Sequence, residues 1–594
     1  MCGFIGGFGG NNKEKNFISF SKEIRHRGPD QEIEFKDGNF FLKFYRLAIN
    51  NIKNKSTQPI LHDQNVFIFN GEIYNYKELL KNLNIETDNK TFDGTVIPFL
   101  YEKYGNSLFK EINGMFSMVI YDKKKHKIIL ARDRFGEKPL YYFLNNKFLF
   151  FSSEISPLQK TINTKLNYLN LAKYFAYGFI PSPNTLYENI YKIEPGSYLE
   201  INLNNFSKRS KAYFDFSYGE KKFTEKSKLE LIDLLERSYK LRTQNEVKQS
   251  ILLSSGLDSN IIKYFDAKNK INTDLFSLGY NEETFDETTH LKNIYSHNEK
   301  LNLFIPNNKE FIDSFFQVYE KLDDIIYDQS IVPTFLINKF LKNKGVKVSL
   351  SGEGIDELLY GYMTLDALKY GKLTQKFFKK SILNKVFLFS KKFEYPKTYI
   401  SKTQKFNLFF KGVIENEKYW QPSWLSPFSV NEINQLTDSS FKKEDIFSEM
   451  EVYDDRKKFS NSYISYSHFY LRYYLCDNLL VKSDRASMLN SIENRCVFLD
   501  KNLTDFLMQF DRNANISEFK NKNTLREVFK DKLDSSIITK KKHGFGLPIH
   551  NILSNGSFIE RIKNKKFYRE KMKSKIVDND RKKWGVCVAS GFIK

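Results

Sequence analysis

The second residue of the chain is a cysteine, followed by Gly3. Removal of Met1 leaves a free α-amine on the same residue as the thiol. The unperturbed pKa values, about 7.7–8.0 for the amine and about 8.5 for the thiol, let the amine activate its own nucleophile without a histidine. Three clusters in the first half suit such a nucleophile. Asn70-Gly71-Glu72 follows an apolar strand, where the Asn side chain and the next backbone N–H can form an oxyanion hole. Arg46 can grip a substrate carboxylate with two parallel hydrogen bonds, and Asp93 can hold a substrate ammonium. Arg25-His26-Arg27-Gly28-Pro29-Asp30 reads as a packed charged turn. Taken singly, each is better explained by a turn or a surface ion pair.

A second chemistry lies further on. Ser254-Ser255-Gly256-Leu257-Asp258-Ser259 sits between the short apolar run Ile251–Leu253 and a helical segment. Small residues let backbone N–H groups approach a phosphate, and a helix N-terminus favours its negative charge. Asp258 can hold a magnesium ion that bridges phosphate oxygens. The Gly-Lys-Ser/Thr ending of a Walker loop is absent. In isolation the string is a plain Ser/Gly turn.

The elements that must carry these residues fall into two rhythms. From residue 2 to about 205, short β runs alternate with Gly, Asn and Asp turns: Phe40–Ile49, Val66–Phe69, Phe116–Asp122, Ile128–Arg132 and Leu140–Ser153. The helical stretches Tyr76–Leu83 and Val96–Tyr104 intervene. Stacked, mostly antiparallel sheets are expected. Beyond a polar stretch at Lys208–Lys226, strands alternate with helices, as at Asp274–Gly279, Leu301–Ile305 and Val346–Leu350. That pattern predicts a parallel sheet with helices on both faces and a ligand at the C-terminal strand ends. Residues from about 363 to 470 are aromatic-rich and helical in pattern, with no legible chemistry.

Composition narrows the classes. With 594 residues, 41% hydrophobic and 16% aromatic, the chain has room for two or more packed domains. No apolar run reaches the ~18 residues of a membrane span, and the glycine-broken N-terminus does not read as a signal peptide. Four cysteines (Cys2, Cys476, Cys496 and Cys587) are too few for a disulfide scaffold and lack metal-ligand spacing. A cytoplasmic protein is expected, with the last three cysteines packed in cores. The net charge of +22 comes from lysines spread along the chain, and only Arg561–Lys575 is conspicuously basic, with the spacing of a solvated helix face. Neither a nucleic-acid nor a membrane partner is expected.

Together, Cys2-Gly3, Arg25–Asp30, Arg46–Ile49, Asn70–Tyr74, Asp93 and Arg132–Tyr142 resemble the glutaminase domain of class II glutamine amidotransferases. The resemblance implies an αββα N-terminal-nucleophile sandwich over residues 2–205. It assigns Cys2 to attack the glutamine amide and Asn70 with Gly71 to the oxyanion hole. Arg46, Asn70, Glu72 and Asp93 are assigned to glutamine binding. Thr95 replaces a commonly acidic residue, which is expected to leave Asp93 without a second carboxylate nearby. The 254–259 string resembles the pyrophosphate loop of ATP pyrophosphatases, with Ser255 in place of a glycine.

Ser351-Gly352-Glu353-Gly354-Ile355-Asp356-Glu357 resembles a second signature, that of glutamine-hydrolysing asparagine synthetases. By that resemblance Leu253, Ser254, Gly256, Asp258, Ser259, Leu278, Ser351 and Gly352 bind ATP, and Asp258 and Asp356 hold Mg2+ that enters with ATP. Glu353 assists ammonia's attack, and Lys542 neutralises developing phosphate charge, with His543 a spacer. Asp323–Ser330 resembles a further segment of that family. Leu479–Met488 and Glu493–Asp500 resemble helices lining the site. A doubly wound parallel-sheet domain over 225–560, a basic tail over 561–594 and a homodimer are implied.

The implied reaction has two sites: a thioester at Cys2 that yields glutamate and ammonia, and an acyl-adenylate formed from ATP. Aspartate is the expected acceptor, giving asparagine. The nearest alternative is another carboxylate, such as a uronic-acid sugar in surface-polysaccharide synthesis. An intramolecular amide-forming synthetase of the β-lactam kind is opposed by the intact Cys2. A basic binding protein with relic enzyme domains is opposed by the retained Cys2, Asp258, Glu353, Asp356 and Lys542.

Overall fold

The computed structural model describes residues 2–52, 58–88, 91–295, 300–390, 401–455, 457–540 and 544–593. The expected Lys542 and His543 lie outside them. Two six-stranded antiparallel sheets form the first unit. One contains Cys2–Gly9 between Phe40–Arg46 and Phe148–Ser152; the other contains Gly114–Asp122 between Asn65–Ile73 and Lys127–Arg132. The alternation of side chains along a strand decides what faces what. Phe4, Phe8, Phe40, Leu42, Val66, Ile68, Val119 and Leu130 meet between the sheets. Phe67 and Phe69 turn outward onto the helix Val96–Tyr104, and Ile5 and Phe41 onto the helix Ile155–Ile162. Four layers result, helix–sheet–sheet–helix, as the resemblance implied.

The second unit is built on one five-stranded parallel sheet. Its order is Leu301–Phe304, Asp274–Leu278, Gln249–Leu252, Val348–Ser351, Glu493–Cys496. The chain winds outward from Gln249–Leu252 in one direction, then returns to that strand's other side with Val348–Ser351. A crevice opens at such a reversal, at the C-terminal ends of the two central strands. Both Ser-Gly loops begin there.

Three stretches differ from the sequence expectation. Glu493–Cys496, expected as part of a helix, is the edge strand beside Val348–Ser351; its polar side chains hide a strand that backbone pairing secures. The strand Asn65–Ile73 continues through Asn70–Glu72 rather than ending before them. The end of the chain is no free basic tail: in the helix Asp580–Phe592, Trp584, Val586, Cys587 and Val588 are buried. The Trp584 indole N–H donates to the Tyr327 carbonyl at 2.8 Å. The helix Tyr168–Tyr177 of the first half packs into the core of the second.

Candidate active sites

Strand periodicity builds the first site. Asn70 shares the parity of Val66 and Ile68, and Cys2 that of Phe4 and Phe8, so both point between the sheets. The Cys2 N–H donates to Asn70 Oδ1 at 2.8 Å. That bond turns the amide's other end outward, and Asn70 Nδ2 is a buried donor with no hydrogen-bond partner among the described residues. A buried orphan donor is costly, about 1–3 kcal/mol, and this one stands beside a thiol. It is placed to receive an oxyanion. Gly71 is held at φ +150°, and a Cβ there would lie 1.9 Å from the Met115 carbonyl oxygen, so no side chain fits. Burial pushes the Cys2 thiol pKa up.

Arg46, Glu72 and Asp93 gather around this pair of strands. The Arg46 guanidinium donates to the Asn50 and Asn51 carbonyls at 3.1 and 2.9 Å. Glu72 accepts from Asn50 Nδ2 at 2.7 Å and from Arg495 at 3.3 Å. Asp93 accepts from the Ile73 N–H at 2.9 Å. The expectation that Asp93 stands without a second carboxylate is corrected: Glu72 and Glu493 both act on its neighbourhood electrostatically. Thr95 instead accepts the Phe92 N–H at 3.1 Å and closes the turn that presents Asp93.

Burial pushes Glu72 up to about 8, with Asp93 adding to the shift and Arg495 opposing it. Burial likewise pushes Asp93 up to about 6, opposed by the Ile73 N–H. A substrate ammonium placed here draws both carboxylates into their charged forms. Acid removes that hold, so kcat/KM of the glutamine hydrolysis that the sequence resemblance implies is expected to fall as pH drops through the window from about 8 to about 6, by up to tenfold per unit in its steepest part. Asp93→Asn should flatten the lower limb; an unchanged profile in that variant would exclude the assignment. The linkage runs the other way for stability. Folded pKa values raised above the unfolded ones stabilise the fold at low pH, and the contribution is lost as pH rises through about 6 and then about 8.

The second site lies in the crevice of the parallel sheet. Gly256 is the extended N-cap of the helix Leu257–Lys268, which puts Asp258 in its first turn. Ser259 Oγ receives the Ser254 N–H at 3.0 Å, and Asn260 Nδ2 ties the Ser254 and Gly256 carbonyls at 2.9 and 2.6 Å. Ser255 has no positive φ, so its Cβ strains nothing. Its hydroxyl meets Lys540, and its N–H donates to Glu287 at 3.2 Å. The second loop, Ser351–Asp356, lies against the first: a Cβ on Gly352 would stand 3.0 Å from that of Asp258. Leu253 and Leu278 are buried beside it.

The two loops point their carboxylates at one spot. Lys522 Nζ lies 2.8 Å from both oxygens of Asp258 and 2.8 Å from Asp356 Oδ1. Two carboxylates converging on a single cation position, beside a phosphate-sized loop, suit a hard divalent ion. No grouping of three His, Cys, Asp or Glu side chains that could hold a metal gathers among the described residues, so these two carboxylates would share the ion with phosphate oxygens. Glu353 Oε2, in the second loop, is buried with no hydrogen-bond partner among the described residues. Sequence reasoning missed Lys522 and Lys540, single lysines in a lysine-rich chain without a spacing signal.

One strand touches both sites. Along Glu493–Cys496, Arg495 pairs with Glu493 at 2.7 Å and Glu72 at 3.3 Å, while Asn494 Nδ2 donates to Ser351 Oγ at 2.9 Å. The helix Leu480–Met488 faces the first unit as well as the crevice. Arg27 grips Asp484 through two bonds of 2.8 and 3.0 Å, and Arg485 pairs with Glu154 and Asp323 at 3.0 and 3.1 Å. Asp324 pairs with Lys192 at 2.9 Å. The charged turn at Arg25–Asp30 and the Asp323-Asp324 pair thus seal the two units together.

A buried thiol beside an unpartnered amide donor and a two-loop crevice with converging carboxylates thus lie in one chain. Residues 1–214 match the glutamine amidotransferase domain, and residues 230–583 match asparagine synthase. The chain belongs to the asparagine synthase family. It is 34% identical over 403 residues to a putative glutamine-hydrolysing asparagine synthetase 2 of Methanocaldococcus jannaschii, covering 61% of this chain and 76% of that one. It is 29% identical over 579 residues to the glutamine-hydrolysing asparagine synthetase 1 of Bacillus subtilis, covering 93% and 88%. A putative synthetase of Mycobacterium tuberculosis is 25% identical over 570 residues, covering 90% and 84%.

Proposed function

We propose that the protein transfers glutamine nitrogen to a carboxylate at the expense of ATP, with aspartate as the acceptor and asparagine as the product. The unpartnered Asn70 Nδ2 beside Cys2 carries the glutaminase half of this reading. Once Met1 is removed, the Cys2 nitrogen that now donates to Asn70 becomes the α-amine that takes the thiol's proton. The thiolate adds to the glutamine amide, and Asn70 Nδ2 and the Gly71 N–H receive the oxyanion; the tetrahedral adduct collapses to a thioester as its protonated nitrogen leaves as ammonia, and water then hydrolyses the thioester to glutamate and the free thiol. Arg46 holds the glutamine carboxylate; Glu72 and Asp93 hold its ammonium.

At the crevice, the Ser254–Ser259 loop cradles the phosphates of Mg·ATP, whose metal Asp258 and Asp356 would hold. Leu253 and Leu278 flank the base. The acceptor carboxylate attacks the α-phosphorus and pyrophosphate leaves. Ammonia, passed internally between the units, then displaces AMP, with Glu353 accepting its proton. Lys542 is assigned to the phosphate charge.

A cavity of about 1040 Å³, lined in part by Asp328, Gln329, Met363, Tyr474, Asn478 and Leu547, favours a second reading. It is several times larger than aspartate needs, and Gln329 adjoins Ser330, whose hydroxyl receives the Lys482 ammonium at 3.1 Å. A larger carboxylate such as a uronic-acid sugar fits that space. Purified protein given ATP, magnesium, glutamine and aspartate separates the readings. Asparagine formed in step with AMP and glutamate supports the first. Glutamate release without asparagine overturns aspartate as acceptor and leaves the larger carboxylate.

A further inference from the structure

We propose that the helical segment over residues 364–390 docks onto an anionic phospholipid surface. The helix Thr364–Phe377 turns Leu365, Leu368 and Gly371 into the protein. Tyr370, Leu373 and Phe377, spaced by three and four residues, form a second apolar stripe on the opposite, open side, at 59%, 46% and 73% exposure. The patch continues through Phe378 at 52%, then Ile382 at 47% and Leu388 at 54% on the next helix, Lys380–Ser390. That helix buries Leu383 and Phe387 instead. Helices whose inner apolar face is already packed have no internal use for an outer one, and contiguous exposed apolar patches mark an interaction surface.

Charge selects the partner. The same stretch carries six lysines, Lys369, Lys372, Lys376, Lys379, Lys380 and Lys385, all exposed, against one acid. That acid, Asp366, is taken by Lys520 at 2.5 Å. Lys372 reaches Glu417 at 3.4 Å; the others are interspersed in sequence with the exposed apolar residues. A protein–protein interface core is depleted of charge, and a two-fold contact would set these lysines against their own copies. Lysines flanking exposed Phe, Leu and Ile suit a headgroup boundary, where apolar side chains enter the acyl edge and ammonium groups meet phosphate. The sequence expectation of no membrane partner rested on the lack of a spanning segment. No helix of the described residues is long and apolar enough to cross a membrane, and surface docking needs none. Tyr370 also lines the large cavity, so the docking patch adjoins it.

Co-sedimentation of the full-length protein with lipid vesicles tests the proposal. The protein is expected to pellet with phosphatidylglycerol-containing vesicles, not with pure phosphatidylcholine, and added salt should weaken the binding. The triple variant Phe377→Ser, Phe378→Ser, Ile382→Ser should lower the partition about tenfold or more, with glutamate release unchanged. Lys376→Glu with Lys379→Glu and Lys380→Glu should erase the preference for the anionic lipid. Failure to pellet with either vesicle overturns the proposal, as does wild-type partition in the apolar variant. So does a sedimentation-velocity dimer that this variant dissolves, which would make the patch a contact between copies.

Discussion

Cys2→Ala is expected to lower glutamine-dependent amide formation by about 10³-fold or more while ammonium salts still support AMP release at near wild-type rate. The magnitude follows from losing the only nucleophile in the first site, since a single member of a covalent catalytic unit costs almost as much as the whole. The other cysteines do not substitute: Cys476, Cys496 and Cys587 are buried, with thiol pKa values pushed up by burial. Alanine keeps the backbone N–H that Asn70 accepts, so the strand pairing of Cys2 with Arg46 survives. Glutamate and AMP measured in the same reaction check the split. Residual glutamate release would move the nucleophile elsewhere, and loss of the ammonia-driven reaction would show that the two units cannot be separated this way.

The residues of the first site were legible as motifs that resemble a family; their positioning was not. The apolar run ends at Phe69, whereas the strand runs on to Ile73, so the parity of Val66 and Ile68 carries Asn70 inward, as that of Phe4 and Phe8 carries Cys2. The crevice was legible from two Ser-Gly loops that each end an apolar strand. What the pattern could not carry was interaction across long separations. Glu493–Cys496 offers Glu, Asn, Arg and Cys, no apolar run, yet it forms a strand because Val348–Ser351 pairs with it, and Arg495 pairs both with Glu493 in its own strand and with distant Glu72. Lys522 is decided by two carboxylates 264 and 166 positions away in sequence, visible only after folding. The Thr95 departure misled for the same reason: the neighbouring carboxylates come from other strands, not from the local turn.

The buried charge that joins the units gives the second large effect. Arg495 is fully buried and makes bonds to Glu493 at 2.7 Å, Glu72 at 3.3 Å, and the Arg242 and Gln244 carbonyls at 2.9 and 3.0 Å. Neighbouring positive charge that includes Arg495 overcomes the burial penalty on Glu493 and holds it down to about 2. Arg495→Met fills similar space but strands that carboxylate and two carbonyls, at a cost of about 3–5 kcal/mol. The thermal unfolding midpoint should fall by about 2–4 °C, at about 0.8 °C per kcal/mol if the units unfold together. Arg495→Lys, a point charge in place of a planar fork, should recover only part of it. A second readout distinguishes this from plain destabilisation. Arg495 opposes the upward shift of Glu72, so its loss should carry the acid limb of the glutamine kcat/KM profile to higher pH, measured well below the melting temperature. An unmoved limb beside a lowered midpoint would confine Arg495 to holding the units together; a moved limb makes it part of how the synthetase half sets the charge of the glutamine pocket.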